Sequence, residues 1–242
     1  MVNQIPLIVD RRGTVLNLTL NNPSKRNALN SEMMGAMIAA IIEAEKYNEL
    51  RVIVIKGEGS AFCSGADVNS WEPEQLQLLL KTIAECSIPT IAVVHGVCLG
   101  GGMGLICACD FVISNDGTLF GFPEVQIGMI PAVIFPYVSR KISLAKIREL
   151  FITGERFGNE MANNLGILYH KNDLDLLISL IDRGGPVAQK NIKMLVNGNV
   201  LSKSQVDRDI DLAKLISKVR HDEEALEGIN SFLEKRKPSW VK

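Results

Sequence analysis

The sequence predicts an α/β fold, and three observations lead to this prediction. Short β-branched and apolar runs recur in the first half of the chain, at Arg51–Lys56, Thr90–His95 and Asp110–Ser114. Continuous apolar runs of this length are typical of strands buried on both faces of a sheet. Helical spacings lie between these runs, and the strand signals fade after about Pro131. We therefore expect an α/β core with parallel or mixed sheets, containing the active site, at residues 1–180 and a helical section at 181–242.

The N-terminal part of the chain contains one strand and one helix with clear signals. Val15–Leu20 alternates apolar and polar residues, which predicts a strand. A helix is expected to begin near Asn30 or Ser31, with Glu32 favourably placed in its first turn. Its apolar positions recur at helical spacing and comprise Met34, Met37, Ile38, Ile41 and Ile42.

The second half of the chain is predicted to be mainly helical. Gly184, Gly185 and Pro186 separate two of the predicted helices. The predicted helices are Lys146–Ile152, Asn159–Leu165, Asp173–Ile181, Val187–Leu195, Gln205–Val219 and Asp222–Lys235.

The composition argues against nucleic-acid binding and against a membrane location. The chain has 26 Lys and Arg against 27 Asp and Glu, giving a net charge of −1, and only 5% aromatic residues. We expect no signal peptide and no membrane span. The five cysteines show no CxxC pair and no ligand spacing to a nearby histidine, so we expect reduced thiols, no metal site and a cytoplasmic location.

The triple glycine Gly100-Gly101-Gly102 follows a predicted strand and opens an apolar helix that continues through Met103 to Ala108. Backbone N–H groups at a helix start lack partners within the helix, and glycine allows a ligand oxygen to approach them. We therefore expect this turn to bind an oxyanion. The alternative is that the glycines only permit close packing of strand against helix. The chain has neither a complete GxGxxG nor a GxxxxGK[ST] sequence, so a dinucleotide or P-loop site is poorly supported.

A second loop of small residues, 57–68, also follows a buried strand. Two such loops can direct two N–H groups at one carbonyl oxygen that gains charge, and such a donor contributes roughly 3–4 kcal/mol. Glu124 lies among Phe122, Val125 and Ile127, which we expect to remove water from it and raise its pKa. Glu124 is thus the candidate base, the alternative being a surface carboxylate in a turn.

Six segments in this order and spacing resemble the crotonase (enoyl-CoA hydratase/isomerase) superfamily, and the similarity covers almost the whole chain. Each segment alone is a weak signal, whereas their combination is strong. The segments are residues 22–29, 61–67, 100–110, 122–128, 150–156 and 227–238.

This resemblance implies a spiral of ββα repeats followed by a C-terminal helical section that assembles trimers or dimers of trimers. It also implies an acyl-CoA substrate and no separate cofactor, because coenzyme A is part of the substrate. The backbone N–H groups of Ala66 and Gly101 would form the oxyanion hole, and Glu124 would act as the base. The implied substrate-binding residues are Lys25, Ala28, Ser64, Gly65, Asp67, Gly100 and Pro123, with Asp67 in a structural role.

The sequence departs from the family at Gly104, where hydratases with two carboxylates carry a glutamate. A lone base suffices to move a double bond, so the departure favours an isomerase. Residues 128–138 instead resemble the methylglutaconyl-CoA hydratase-like branch, and we predict an enoyl-CoA hydratase, with the isomerase and a non-catalytic acyl-CoA-binding scaffold as alternatives. We expect Glu72 and Glu74, after Trp71, to be solvated; the alternative is that one of them supplies a supplementary carboxylate through movement of that stretch.

Overall fold

The computed structural model describes residues 5–67, 70, 72–198 and 216–241. The chain divides into two units. The first comprises Met1–Cys86 and Thr90–Leu174, and the second comprises Ser87–Pro89 and Asp175–Lys242. The functional division at residues 180 and 181 stays a prediction.

The described residues of the first unit form eight strands in two sheets. In chain order they are β1 (Leu7–Arg12), β2 (Val15–Leu20), β3 (Val52–Gly57), β4 (Thr90–Val94), β5 (Val97–Leu99), β6 (Phe111–Ser114), β7 (Leu119–Gly121) and β8 (Arg156–Phe157). The larger sheet has the order β1-β2-β3-β4-β6 and is parallel except for the antiparallel pair β1 and β2. The four strands predicted from the sequence are thus confirmed, and the sheet is mixed.

A smaller sheet has the order β5-β7-β8, with β5 parallel to β7 and β7 antiparallel to β8. None of these two- and three-residue strands was predicted, because such short strands give almost no periodic signal. The smaller sheet matters for function because β5 leads directly into the triple glycine.

The first unit also contains six α-helices and two short 3₁₀ helices. The α-helices are α1 (Ser31–Ala44), α2 (Pro73–Glu85), α3 (Gly101–Ala108), α4 (Phe135–Val138), α5 (Leu144–Thr153) and α6 (Asn159–Asn164). The 3₁₀ helices are Pro23–Lys25 and Pro123–Ile127. The predicted start of α1 is confirmed, since the Asn30 side chain accepts a hydrogen bond from the Met33 amide.

Helix α2 forms most of the stretch that follows Trp71. It begins at Pro73 and buries Leu76, Leu79 and Leu80. Pro73 occupies its first turn, a position where proline favours a helix start. The apolar positions at three- and four-residue spacing were the signal for this helix.

The second unit is helical, as predicted for this part of the chain. Its helices are α7 (Leu174–Asp182), α8 (Pro186–Val196) and α9 (Glu223–Leu233). The start of α8 is capped by the Glu224 carboxylate, which accepts hydrogen bonds at 2.8 Å from the amides of Val187 and Ala188. Most of the predicted helix Gln205–Val219 lies outside the described residues, and residues 216–219 are helical.

Within the part of the chain that the structure describes, no helix has both the length and the apolar character needed to cross a membrane.

Candidate active site

The triple glycine forms the predicted turn from strand to helix. Strand β5 ends at Leu99, and Gly100 connects it to α3 with φ 51° and ψ −117°, a conformation that favours glycine. At Gly102 the reason for glycine is packing, because a Cβ there would lie 2.8 Å from the Cys63 carbonyl oxygen. The close-packing interpretation therefore applies at Gly102, and the oxyanion interpretation stays a prediction.

The loop at residues 61–67 is held in place from two sides. On one side the Cys63 amide donates to Val97 O at 3.1 Å, and the Leu99 amide donates to Cys63 O at 3.0 Å. On the other side Leu29 pairs with the loop in a parallel bridge to Ala66. These bonds fix the backbone around Ala66 against the glycine turn.

The backbone amides of Ala66 and Gly101 lie next to each other and have no hydrogen-bond acceptor among the described residues. A Cβ built on Gly101 would lie 3.3 Å from the Ala66 nitrogen. Both residues line a cavity, so the two adjacent N–H groups are available to donate to one oxygen of a ligand bound there.

Glu124 lies in the 3₁₀ helix Pro123–Ile127, directly after Pro123. A Cβ on Gly100 would lie 3.2 Å from Glu124 Oε1, so the carboxylate faces the glycine turn. Its Oε2 is enclosed and has no hydrogen-bond partner among the described residues. Burial raises the pKa of Glu124, and its own backbone N–H partly opposes this effect. The alternative interpretation of Glu124, a surface carboxylate in a turn, does not fit this enclosed position.

The two free amides and Glu124 line one cavity of about 210 Å³. Ser64, Gly65, Gly100 and Pro123 contribute to the same walls. The remaining walls are mostly apolar and include Leu76, Ile127, Met129, Ile130, Val133 and Ile134. A carboxylate at the edge of an apolar cavity is poised to exchange protons with a bound molecule.

The position of the missing glutamate, Gly104, is filled by another side chain. A Cβ on Gly104 would overlap Ile134 Cγ2, and it would lie 3.1 Å from Ile134 Cβ and 3.2 Å from Leu80 Cδ1. Ile134 is only 2% exposed. A glutamate side chain at position 104 would therefore have no room, because Ile134 occupies the space next to the helix at that point.

The remaining predicted substrate-binding residues, Lys25, Ala28 and Asp67, are not among the described lining residues, and they lie beside Ser64, which is. Lys25 Nζ lies 2.8 Å from Asp67 Oδ2, with the Lys25 side chain 59% exposed and that of Asp67 7% exposed. The Ser64 hydroxyl donates to Lys25 O at 3.3 Å, and the Ala28 amide donates to the same oxygen at 3.1 Å. The structure thus brings Lys25, Ala28, Ser64 and Asp67 together.

The sequence missed the apolar wall at residues 126–134. In the sequence analysis this segment indicated only the family branch. Its mostly apolar run is Met129-Ile130-Pro131-Ala132-Val133-Ile134. Several of its side chains are exposed, Ile130 most of all. Exposed apolar residues beside a candidate base are the signal that was available. Glu72 and Glu74 are exposed and do not line the cavity.

The fold and the cavity define the class of the protein: an α/β protein with a half-buried carboxylate and the amide-bearing residues Ala66 and Gly101 on one cavity. The comparisons with known proteins give the family. A family model described as enoyl-CoA hydratase/isomerase matches residues 10–242. The chain therefore belongs to the enoyl-CoA hydratase/isomerase family, and the resemblance to the crotonase superfamily is confirmed. The narrower branch stays a prediction.

Curated relatives and solved structures agree with this family. A "Probable enoyl-CoA hydratase" of Bacillus subtilis is 30% identical, with 99% of each chain covered. The "2,3-dehydroadipyl-CoA hydratase" of Escherichia coli is 29% identical, over 97% of this chain and 98% of the relative. The structure of Pseudomonas aeruginosa AtuE has a TM-score of 0.90 at 28% identity, covering 98% of this chain and all of that one.

Proposed function

We propose that this protein is an enoyl-CoA hydratase, which adds water to the 2,3 double bond of a 2-enoyl-CoA. The proposal rests on one observation: Glu124 lines the same cavity as Ala66 and Gly101, whose backbone amides have no acceptor among the described residues. Hydration of an enoyl thioester develops negative charge on the thioester oxygen. Two preorganised N–H donors stabilise that charge, and a nearby carboxylate moves the proton.

In the proposed reaction the substrate carbonyl oxygen accepts hydrogen bonds from the Ala66 and Gly101 amides. The Glu124 carboxylate removes a proton from water while the water oxygen bonds to C3. The C2=C3 π electrons move toward the carbonyl and form an enolate. The protonated Glu124 then delivers its proton to C2, which restores the thioester carbonyl and the carboxylate. One water is consumed, and Glu124 ends in its starting state.

The raised pKa of Glu124 fits both halves of this cycle. A carboxylate deprived of water is a stronger base than an exposed one, and its neutral acid form is easier to hold in an apolar cavity. One group therefore alternates between base and acid. No second carboxylate lines the cavity among the described residues.

The isomerase alternative uses the same groups, because a single base can carry a proton between C4 and C2. The names of the relatives favour hydration, since those of Bacillus subtilis and Escherichia coli both describe hydratases. The group of Lys25, Ala28, Ser64 and Asp67 is the proposed entrance for coenzyme A. The exposed Lys25 ammonium suits a phosphate of the cofactor moiety.

The test is to incubate the protein separately with 2-enoyl-CoA and 3-enoyl-CoA of equal chain length. Hydration is followed by formation of the 3-hydroxyacyl-CoA, and migration by interconversion of the two enoyl esters. We expect water uptake by the 2-enoyl ester. Double-bond migration without water uptake would establish the isomerase instead. Tight binding with no turnover of either ester would establish the non-catalytic scaffold.

We further propose a homo-oligomer, either a trimer or a dimer of trimers. The second unit leaves large apolar side chains exposed, among them Ile192, Val196, Phe232 and Leu233. Exposed apolar surface of this kind is typical of protein interfaces. The cytoplasm is the proposed location, supported by five buried cysteines that form no disulfide.

A further inference from the structure

We infer that the acyl group of the substrate is uncharged and apolar, and that the cavity discriminates against acyl thioesters that end in a carboxylate. The inference rests on the proposed function for the placement of the acyl chain. It goes further because acyl-CoA chemistry alone leaves the character of the acyl group open.

The chemistry of the cavity wall carries the inference. Glu124 is the only ionisable residue among the described residues that line the cavity. The lining contains no lysine, arginine or histidine in that part of the chain. One of its few polar side chains, Gln126, is engaged elsewhere, since its Nε2 donates to Gly154 O at 3.2 Å. The wall therefore offers an acyl chain apolar contacts and no cation.

Glu124 makes a second anion in this cavity unfavourable. Its Oε2 lacks a hydrogen-bond partner among the described residues, so the charge on Glu124 is offset only in part, by its own backbone N–H. A substrate carboxylate would lose part of its water and also face the Glu124 charge. Like charges brought together without a counterion weaken binding strongly. An uncharged chain meets neither penalty and gains from burying apolar surface.

Short chains give the sharpest test, because the outer part of the wall is open to water. Ile130 is 78% exposed, so the end of a long chain can reach solvent and keep its charge hydrated. A six-carbon chain holds its terminal group nearer to Glu124. The matched probes are 2-hexenoyl-CoA and 2,3-dehydroadipyl-CoA, which differ in whether the sixth carbon is a methyl or a carboxylate.

The experiment measures turnover and binding separately. For turnover, we expect kcat/KM for 2-hexenoyl-CoA to exceed that for 2,3-dehydroadipyl-CoA by about 100-fold or more. For binding, calorimetry with the unreactive saturated thioesters hexanoyl-CoA and adipyl-CoA should show the carboxylated ester binding at least about tenfold more weakly. Ratios near one in the binding measurement would overturn the inference.

The two measurements also separate this inference from the proposed function. Discrimination in binding without hydration of either enoyl ester would support the inference and refute the hydratase. Equal hydration of both enoyl esters with equal binding would support the hydratase and refute the inference.

A pair of variants at Met129 tests whether charge is the cause. Met129 lines the cavity and is partly exposed, so a lysine of similar length fits there. Met129→Lys should reduce the hexanoyl-to-adipyl preference by about tenfold, because it supplies the missing cation. The control Met129→Gln adds polarity without charge and should leave the preference within about twofold. Equal effects of lysine and glutamine would contradict the inference.

Discussion

The two sides of the cavity that face the reacting atoms differ in one respect. The 3₁₀ helix at Pro123–Ile127 carries a carboxylate, whereas α3 presents Gly104 where a second carboxylate would stand. Ile134 fills the space beside Gly104 and is almost completely buried. The difference teaches that the proposed reaction concentrates proton transfer on one side, and that the other side is a packed apolar wall rather than a gap.

Loss of Glu124 is expected to have the largest effect, because no other carboxylate lines the cavity in the described part of the chain. Glu124→Gln keeps the shape of the side chain but cannot accept and return a proton. We expect kcat to fall by about 1,000-fold or more, within the range for general acid–base catalysis. Binding of a saturated acyl-CoA should change little.

The matched control for this change is Glu72→Gln, which alters an exposed carboxylate outside the cavity. We expect it to leave kcat within about twofold. If Glu124→Gln retained most of its activity while Glu72→Gln lost it, the assignment of the base would be wrong.

Removal of one amide donor is expected to have the next largest effect. Gly101 is the first residue of α3, where proline is tolerated, so Gly101→Pro removes the N–H without an obstacle to the helix itself. We expect kcat to fall by about 100- to 1,000-fold. Gly101→Ala adds a Cβ while keeping the N–H, and it should retain far more activity.

Both Gly101 variants need a thermal unfolding curve to show that the chain remains folded. If both variants remained folded and lost the same amount of kcat, the cause would be crowding by the added Cβ, which both variants share. The Gly101 amide would then not be a donor in the reaction.

The packing of Ile134 against Gly104 is tested by a double-mutant cycle on stability. Gly104→Ala should cost about 1–3 kcal/mol, because its Cβ meets the buried Ile134 side chain. Ile134→Ala should cost about 2–5 kcal/mol through the cavity it leaves. In the double variant the new Cβ enters the space left by the Ile134 side chain. The double variant should therefore lose at least about 1 kcal/mol less free energy of unfolding than the two single variants lose in sum. Additive costs in urea unfolding would show that the two residues do not share the space.

The smallest expected effect is a gain in stability on removing the Glu124 charge. Burial raises the pKa of Glu124 in the folded protein, so its ionised form disfavours folding above that pKa. Glu124→Gln should therefore raise Tm at neutral pH. The gain should shrink as the pH falls through the raised pKa, where the glutamate itself becomes neutral. A lower Tm for the variant at neutral pH would contradict this.

The sequence predicted the parts of the fold and site that depend on local pattern. The long strands and α1 follow from apolar spacing, and the glycine turn follows from its place between strand and helix. Two features depended on tertiary packing instead. The acceptor-free state of the Ala66 amide arises from bonds made by its neighbours to Leu29 and Val97. The contact of Ile134 with Gly104 joins residues 30 positions apart, which no local pattern reveals.

The central claim is that one carboxylate performs both proton transfers of hydration. The most direct test is the pH dependence of kcat/KM for hydration of a 2-enoyl-CoA. A single group that must start ionised predicts activity that falls on the acid side through one ionisation, above the ordinary glutamate pKa of 4.5, and a plateau on the alkaline side. A bell-shaped profile, with activity also lost on the alkaline side, would reveal a second group that must start protonated and would contradict the claim.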